Sequence, residues 1–319
     1  NFNNLFININ GRPRDFAAAY SQQWNYTMDR QFGQMHLEVA YVGNKANKLM
    51  ANRNINQPLP AAGGLNTRRI FAGWGNITFQ EPRGNSIYHS LQTKAEKRFA
   101  KGHMILLSHT WAKAIDDADS TQLSTTSGTG NLQDQRNLRA ERSRSFQDVR
   151  QRMVLSYLYE LPFGRGRRFL SGASTLTDQI VGGWQVNGIT FYQSGRAFTV
   201  SSPTDHSNTG SSNIRPNATG ISPDLPSNER SPQRFINAAA FAIPAGFAFG
   251  NTGRNVATGP SQTNFDFSLF KDFALDRESK RKVQFRAEFF NILNTPQFQI
   301  PNRTFNTPQF GTITETIAD

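Results

Sequence analysis

Apolar side chains recur at every second position in segment after segment of this sequence. In residues 282–294, for example, Val283 and Phe285 alternate with Gln284 and Arg286. A period of two is that of a β-strand, whose successive side chains point to opposite faces. The segments run for about ten to twelve residues or slightly more, whereas soluble strands average roughly five or six. The alternation predicts an all-β fold with strands at 18–28, 34–41, 88–99, 103–115, 150–161, 183–200, 264–273 and 282–294, and further strands within 1–11 and 75–80.

The connections between these strands alternate between short and long. Loops of roughly thirty to sixty residues are rare in compact domains. A transmembrane barrel produces this alternation, because its periplasmic turns are short and its extracellular loops are long. A strand of about ten residues tilted near 45° also crosses the hydrocarbon layer. We therefore predict a transmembrane antiparallel β-barrel, with short connections at 29–33, 100–102 and 274–281, an intermediate one at 162–182, and long ones at 43–87, 116–149 and 201–263.

Composition excludes several classes of protein and of functional site. Hydrophobic residues make up 37% and the mean hydropathy is −0.56, so apolar residues are dispersed and helical membrane spans are excluded. The absence of Cys excludes a disulfide scaffold, a thiol nucleophile and Cys-ligated metals. A net charge of +12 favours phosphate-bearing partners, either nucleic acid or a membrane surface. The chain begins at Asn1 without Met or a signal sequence, which leads us to expect a fragment with its signal upstream, with a mature product as the alternative.

The two strand faces predict two environments. We expect Phe285 to lie near mid-bilayer, and we expect aromatic residues beside the short turns to form half an interfacial girdle. The alternative, that the rings fill the core of a soluble β-sandwich, does not account for the alternating connections. Predicted lipid-facing residues are Leu37, Val39, Tyr157, Phe267, Phe285 and Phe289; predicted interfacial aromatics are Trp24, Tyr26, Phe99, Tyr157, Tyr159, Trp184 and Phe273; predicted lumen-facing or plug-facing residues are Gln92, Lys94, Glu96, Arg98, Gln284, Arg286 and Glu288.

Candidate catalytic and metal-binding patterns are weak. His36 and Glu38 share a strand face, but zinc sites need three or four ligands, which favours a polar lumen-facing pair. Residues 116–119 contain three Asp without the Gly and Glu of an EF-hand, which favours a solvated acidic loop. Residues 164–168 are rich in Gly and Arg but lack the Gly-Lys-Ser/Thr ending of a phosphate-binding loop, which favours a basic periplasmic turn. We find no nucleophile elbow and predict that the protein is not an enzyme and uses no metal or cofactor.

The densest basic cluster lies in a predicted extracellular loop. Arg favours bidentate contact with phosphate and carboxylate groups. The cluster is suited to lipopolysaccharide phosphates, an anionic ligand, or carboxylates of the lumen and plug; a solvated loop with local salt bridges is the alternative. Nucleic-acid binding is disfavoured, because the basic residues are scattered over strands and turns. The candidate residues are Arg136, Arg139, Arg142 and Arg144, followed by Arg150 and Arg152, with Glu141 and Asp148 interspersed.

Several segments resemble the C-terminal barrel of TonB-dependent outer-membrane receptors, specifically the branch with a carboxypeptidase-regulatory-like N-terminal domain. Each segment is weakly specific, but their order and spacing together are fairly specific, and the resemblance covers nearly the whole chain. The segments are Gln-Gln-Trp-Asn at 22–25, Leu-Glu-Val-Ala-Tyr-Val-Gly at 37–43, Asn-Ser-Ile-Tyr-His-Ser-Leu-Gln at 85–92, Ser-Tyr-Leu-Tyr-Glu-Leu-Pro-Phe-Gly at 156–164, Gly-Trp-Gln-Val-Asn-Gly at 183–188, and Phe-Arg-Ala-Glu-Phe-Phe-Asn-Ile-Leu-Asn at 285–294.

The resemblance implies that residues 1–319 are the C-terminal portion of an outer-membrane barrel of about 22 strands. The plug, the regulatory-like domain and the TonB box would lie upstream. The closing strand with its terminal aromatic is not found at 314–319, which implies two unpaired edges. The implied function is uptake of a bulky nutrient, with outer-membrane lipid, lipopolysaccharide, the plug, the TonB complex and a small ligand as partners. An adhesin or assembly barrel without active transport, or a soluble basic β-protein that binds glycan or nucleic acid, remains the alternative.

Overall fold

The computed structural model describes residues 6–98, 103–117, 132–275 and 281–317. Phe99, the predicted short connection at 100–102, Asp119 and part of the predicted long connection at 116–149 lie outside these ranges. The strands are β1 (Ile7–Gly11), β2 (Tyr20–Phe32), β3 (Met35–Asn54), β4 (Trp74–Arg98), β5 (Met104–Asp116), β6 (Ser143–Arg144), β7 (Gln151–Glu160), β8 (Trp184–Gln193), β9 (Ala197–Phe198), β10 (Asn217–Ala218), β11 (Phe241–Ala242), β12 (Ala257–Thr258), β13 (Gln262–Ala274) and β14 (Lys282–Phe289). The α-helix is α1 (Thr175–Val181), and short 3₁₀ turns lie at Asn66–Arg68, Leu138–Glu141, Ser227–Glu229 and Ala238–Ala240.

One large sheet dominates the molecule. Its long strands follow the order β2, β3, β4, β5, β7, β8, β13, β14, and each is antiparallel to the next. The first and last of these strands, β2 and β14, do not pair with each other in the described part of the chain. This is the all-β, antiparallel fold that the alternation predicts, as an open sheet consistent with part of a barrel.

All the strand connections fall at one of two ends of the sheet. We call the end with the β2–β3, β4–β5, β7–β8 and β13–β14 connections the short-turn end, and the opposite end the loop end. Gly33 adopts a φ of 58° in the two-residue β2–β3 turn, a left-handed conformation that glycine adopts without steric strain. Antiparallel neighbours joined in sequence place their connections at alternate ends, so the short/long alternation of the sequence becomes a spatial separation.

Strands β3 and β4 extend well beyond the predicted boundaries. The predicted loop at 43–87 is wrong: β3 runs for 20 residues and β4 for 25, which leaves only 55–73 as the connection. The extensions lie at the loop end, where neither strand face needs to be apolar, and so the sequence alternation stops before the backbone pairing does. A register shift between Ala46 and Leu49, beside Lys48 with a φ of 56°, marks the change.

Other boundaries also differ from the predicted ones, and residues 29–32, predicted to belong to a short connection, are part of β2. Residues 75–80 belong to the start of β4, where β1 pairs with it in parallel, an exception to the antiparallel pattern. Strand β8 ends at Gln193, before the predicted limit at residue 200. Strand β14 ends at Phe289, and Asn291 and Asn294 then take positive φ values of 46° and 49°, which terminate the extended conformation.

The connections at the loop end form a compact unit of their own. We call residues 55–73, 132–150, 194–261 and 290–317 the loop assembly. Phe198, Val200 and Ala257 are buried in its apolar core at 1%, 1% and 0% exposure, together with Ile236 and Phe241. Two small antiparallel pairs, β9 with β12 and β10 with β11, hold the long connection in place. The conventional hydrophobic core of the described chain therefore lies in its loops.

Helices contribute little. Within the four described ranges, none is long and apolar enough to cross a membrane.

Candidate functional site

The apolar face of the large sheet is continuous from β2 to β14. Tyr26 pairs with Tyr41, Tyr157 with Gly188, and Phe267 with Phe289 on neighbouring strands. The residues predicted to face lipid therefore share one side of the sheet. Many of these side chains are exposed in the isolated chain. The exposed set includes Tyr26 at 66%, Met28 at 61%, Trp111 at 54%, Phe285 at 54% and Phe289 at 48%. A contiguous apolar surface of this extent needs another apolar medium to cover it.

Aromatic rings on this face lie directly over glycines of the next strand. A Cβ placed on Gly43 would lie 2.2 Å from the Trp24 ring, and one on Gly188 would lie 2.4 Å from the Tyr157 hydroxyl oxygen. Each glycine therefore makes room for a ring across the strand pair. All four residues belong to segments that carried the family resemblance, which gives those segments a packing role.

The aromatic residues form two bands and not one. Tyr157, Tyr159, Trp184 and Phe273 lie near the short-turn end, as predicted from the strand boundaries. The predicted position of Trp24 and Tyr26 beside the first short turn is wrong.

Trp24 pairs with Gly43, nine residues from Gly33, and so lies toward the loop end. Its ring contacts His89, which also bonds Tyr41 with 2.7 Å between Nδ1 and the hydroxyl oxygen. Phe32 is the aromatic residue of β2 next to the turn. Eight residues separate Phe32 from Trp24, roughly 27 Å along a strand, or roughly 20 Å along the membrane normal for a tilt near 40°, comparable with the apolar band of an outer-membrane barrel.

The depth predicted for Phe285 also changes. Phe285 pairs with Lys271, and the Lys271 ammonium donates to the carbonyl oxygen of Gly182 in the β7–β8 connection. Phe285 therefore lies toward the short-turn end. Phe267, whose ring centroid lies 6.3 Å from that of its partner Phe289, is nearer the middle of its own strand, β13.

The opposite face carries short polar ladders on β4. Glu96 accepts a hydrogen bond from Arg98 Nε at 2.5 Å and lies 3.7 Å from Lys94 Nζ. Gln92 donates to Ser90 at 3.2 Å. These predicted lumen-facing residues thus share one side of the strand, with the Glu96 carboxylate between the two cations.

A similar ladder runs along β13 and β14. Arg286 Nε donates to Gln284 at 2.6 Å, and Gln284 and Lys282 both donate to Asp272 at 2.7 Å. Glu288 lies opposite Ser268 on the same face. The structure therefore groups the predicted lumen residues at two separate places on the polar face.

The predicted arginine cluster divides into two classes. Arg144 donates to the backbone carbonyls of Asn255 and Val256 at 3.1 and 3.2 Å, and Arg136 donates to the carbonyl of Gln57. These two residues hold one connection against another within the loop assembly. Arg139 and Arg142 are exposed, as Arg136 also is, but within the described residues neither side chain contacts another connection.

Two buried ion pairs were not predicted. Arg215 makes a bidentate pair with Glu141 at 2.7 and 2.9 Å, and both residues are under 5% exposed. Arg254 pairs with Asp116 and lies 4.0 Å from Glu141. The interpretation of Asp116 as a solvated loop acid is therefore wrong, and Glu141 pairs with a distant connection and not locally. Nothing in the sequence identified Arg215 or Arg254, because their partners are 74 and 138 positions away.

A cleft of about 720 Å³, lined by both polar and apolar side chains, opens between the start of β13 and the C-terminal part of the loop assembly. Its lining includes Arg196, Arg303, Gln262 and Glu315. Burial lowers the pKa of the Arg303 guanidinium, which still stays protonated at neutral pH. The cleft is large enough for a small ligand and presents donors suited to carboxylate or phosphate oxygens.

The described residues contain no group of three or more His, Asp or Glu side chains placed to hold a metal ion. His36 lies 3.2 Å from an Asp29 carboxylate oxygen across the β2–β3 pair.

Comparisons with known proteins agree with this architecture. The chain matches the model of a family described as an outer membrane beta barrel domain over residues 2–319. A search of curated proteins gave no match. Among solved structures, the outer membrane transporter YddB from Escherichia coli is similar, with 10% identity, a TM-score of 0.49, and coverage of 96% of this chain and 32% of that one.

The FrpB iron transporter from Neisseria meningitidis, as the apoprotein, is similar with 10% identity, a TM-score of 0.41, and coverage of 96% and 31%. The chain thus spans about a third of the length of either transporter. With long antiparallel strands that separate an apolar from a polar face, and with a family match over residues 2–319, the chain belongs to the outer membrane beta barrel domain family and resides in the outer membrane.

Proposed function

We propose that this chain forms part of the barrel of a TonB-dependent outer-membrane receptor that takes up a bulky nutrient. The observation that carries the proposal is that, within the described residues, β2 and β14 each pair with a neighbour on one side only and so leave the path of long strands open at both edges. Unpaired strand edges are not stable in a bilayer, so a closed barrel needs additional strands. An eight-stranded barrel is filled by its own side chains, whereas a larger one encloses a lumen that can hold a plug and pass a solute.

The polar face supports a plugged lumen. Its ladders on β4 and on β13 and β14 present exposed cationic ends, such as Arg98 with 78% side-chain exposure and Lys282 with 55%. A plug with surface carboxylates would pair with these ends. In this proposal residues 1–319 are the C-terminal barrel portion, and the plug and the TonB-binding segment belong to other parts of the protein.

The loop end is the proposed ligand side. Arg139 and Arg142 are exposed and, within the described residues, make none of the inter-loop carbonyl contacts that Arg136 and Arg144 make. The cleft beside Arg303 supplies a recess near the same end. Together these features favour an anionic ligand or lipopolysaccharide phosphate.

Uptake by the intact protein in its natural strain tests the proposal. Ferric desferrioxamine, maltoheptaose and hexa-alanine serve as probes of the siderophore, glycan and peptide classes. Deletion of the gene and deletion of TonB should both abolish uptake of the same probe. An adhesin would be supported instead if the gene-deletion strain took up all three probes at the wild-type rate but lost surface adhesion.

Binding gives a second measurement. The full-length protein should bind the purified periplasmic domain of TonB. Replacement of Arg139 and Arg142 by Ser should weaken uptake of the transported probe while binding of TonB persists. Transport that is independent of TonB would contradict the energy-coupled part of the proposal.

A further inference from the structure

The β7–β8 connection differs from the other short connections, because it contains α1 and a cluster of exposed apolar side chains. Leu176 and Ile180 lie four positions apart on α1, and therefore on one helix face, with exposures of 80% and 71%. Leu170 and Phe169 add exposures of 54% and 47% just before the helix. A seven-residue helix of this kind is not stable alone in water. Contacts with the rest of the protein must stabilise it, and its exposed apolar face needs a surface to cover it.

The helix is fixed at a defined place. Ser174 caps its N-terminus by accepting from Thr177 N at 3.2 Å, and the Asp178 carboxylate accepts from Arg165 N at 2.5 Å. These contacts hold the polar side of the helix against its own loop. The apolar side, with Leu176 and Ile180, is left turned away from the protein.

The helix is attached to the apolar face of the sheet and not to the polar one. Trp184 Nε1 donates to the Ile180 carbonyl at 2.9 Å, and Lys271 Nζ donates to the Gly182 carbonyl. Trp184 and Lys271 pair across β8 and β13 on the apolar face, with the ammonium 5.6 Å from the indole ring. The exposed helix face is therefore continuous with the surface that meets lipid.

Basic side chains lie beside the apolar helix face, as binding to a phosphate-bearing surface requires. Arg165 and Arg168 are exposed in the same connection, and Arg168 lies 5.4 Å from the Phe169 ring. Lys271 reaches from the apolar face toward the end of the strand, as long cationic side chains do at a membrane boundary. An interfacial helix combines an apolar face buried in the acyl boundary with basic residues beside it.

We propose that the β7–β8 connection is an interfacial anchor, in which Leu170, Leu176 and Ile180 enter the acyl boundary of the periplasmic leaflet and Arg165 and Arg168 bind phospholipid phosphates. The occupant is a phospholipid surface, because the helix face continues the lipid-facing sheet and its flanking charge is positive. The inference rests on the orientation of the barrel and not on transport. Transport without the anchor would contradict only this inference, and an anchored barrel without transport would contradict only the proposed function.

Site-directed fluorescence on the full-length protein tests the anchor. Leu176→Cys and Ile180→Cys, each labelled with the environment-sensitive dye NBD, are reconstituted into vesicles of phosphatidylethanolamine and phosphatidylglycerol. Asn228→Cys, in an exposed turn at the loop end, is the water-facing control. Heat-modifiable migration on gels confirms that each variant is folded.

The dyes at 176 and 180 should emit at shorter wavelength than the dye at 228. They should also be quenched several-fold more strongly by headgroup spin-labelled phospholipid. Leu176→Asp should reduce quenching of the dye at 180, whereas Leu176→Met should preserve it. Emission and quenching at 176 and 180 equal to those at 228 would overturn the proposal and would indicate that this face is open to water or to a periplasmic protein.

Discussion

The sheet and the loop assembly follow opposite packing rules within one chain. In the sheet, large apolar side chains are exposed, as Tyr26 is at 66%, and polar side chains line the other face. In the loop assembly, Phe198 is buried at 1% and the buried polar side chains are paired, as Arg215 is with Glu141. The loop assembly packs like a water-soluble domain, whereas the sheet is arranged for contact with lipid. The comparison shows that the solvent around each region, and not the composition of the chain, decides which side chains are buried.

The largest expected effect is on the buried ion pair of the loop assembly. Glu141→Gln leaves the Arg215 guanidinium buried without a counter-charge, which should cost about 3–5 kcal/mol of local stability. Hydrogen exchange of the loop amides in the full-length protein measures it. The double variant Glu141→Gln with Arg215→Met should be less destabilised than the single variant. Equal loop protection in the Glu141→Gln variant and the wild type would show that the loop assembly does not depend on this pair.

The next effect separates the two faces of the sheet. Phe267→Arg places a charge on the apolar face near mid-strand and should cost about 2–4 kcal/mol of barrel stability, because lipid cannot solvate it. Phe285→Arg should cost less, since Phe285 lies nearer the short-turn end, and Gln284→Arg should be milder still. Ser268→Arg is the matched control, because Ser268 neighbours Phe267 on the polar face and lies opposite Glu288.

Urea unfolding of the full-length protein in phospholipid vesicles measures this order. Equal tolerance at positions 267 and 268 would refute the assignment of the faces.

A third comparison divides the arginine cluster. Arg144→Ser removes charge-assisted hydrogen bonds to the carbonyls of Asn255 and Val256 and should cost about 1.5–3 kcal/mol. Arg139→Ser, at an exposed position, should change stability by less than about 0.5 kcal/mol. Limited proteolysis of the loops in the full-length protein distinguishes the two variants. If both are cleaved at the wild-type rate, Arg144 does not join the connections.

The smallest effect concerns the attachment of α1. Trp184→Phe keeps the ring but removes the N–H that donates to Ile180, which should cost about 0.5–1.5 kcal/mol. Faster hydrogen exchange in 175–181 than in the wild type is the expected result. Trp24→Phe, on the same face but toward the loop end, should leave exchange in α1 unchanged.

Local patterns were sufficient to predict the strands that contact lipid. The alternation around Val283 and Phe285 and the short turn at Gly33 gave the strand type, the faces and the separation of connections. The local patterns could not predict the loop-end limits of β3 and β4, because apolar and polar side chains no longer need to alternate where a strand extends beyond the membrane. They also placed Trp24 at the wrong end, since a girdle residue looks the same in sequence at either interface.

The candidate site was less accessible to sequence reasoning. Arg139 and Arg142 could not be distinguished from Arg136 and Arg144, because the carbonyls that the second pair binds come from distant connections. The pairing of Arg215 with Glu141 was hidden for the same reason.

The sequence by itself determined that the chain forms long antiparallel strands with an apolar and a polar face, because a side-chain period of two is a property of each strand alone. Only the tertiary structure decided which arginines hold the loops together, which acids are buried and where α1 attaches. Those features depend on contacts between segments that are remote in sequence, and no local pattern encodes the distance between them.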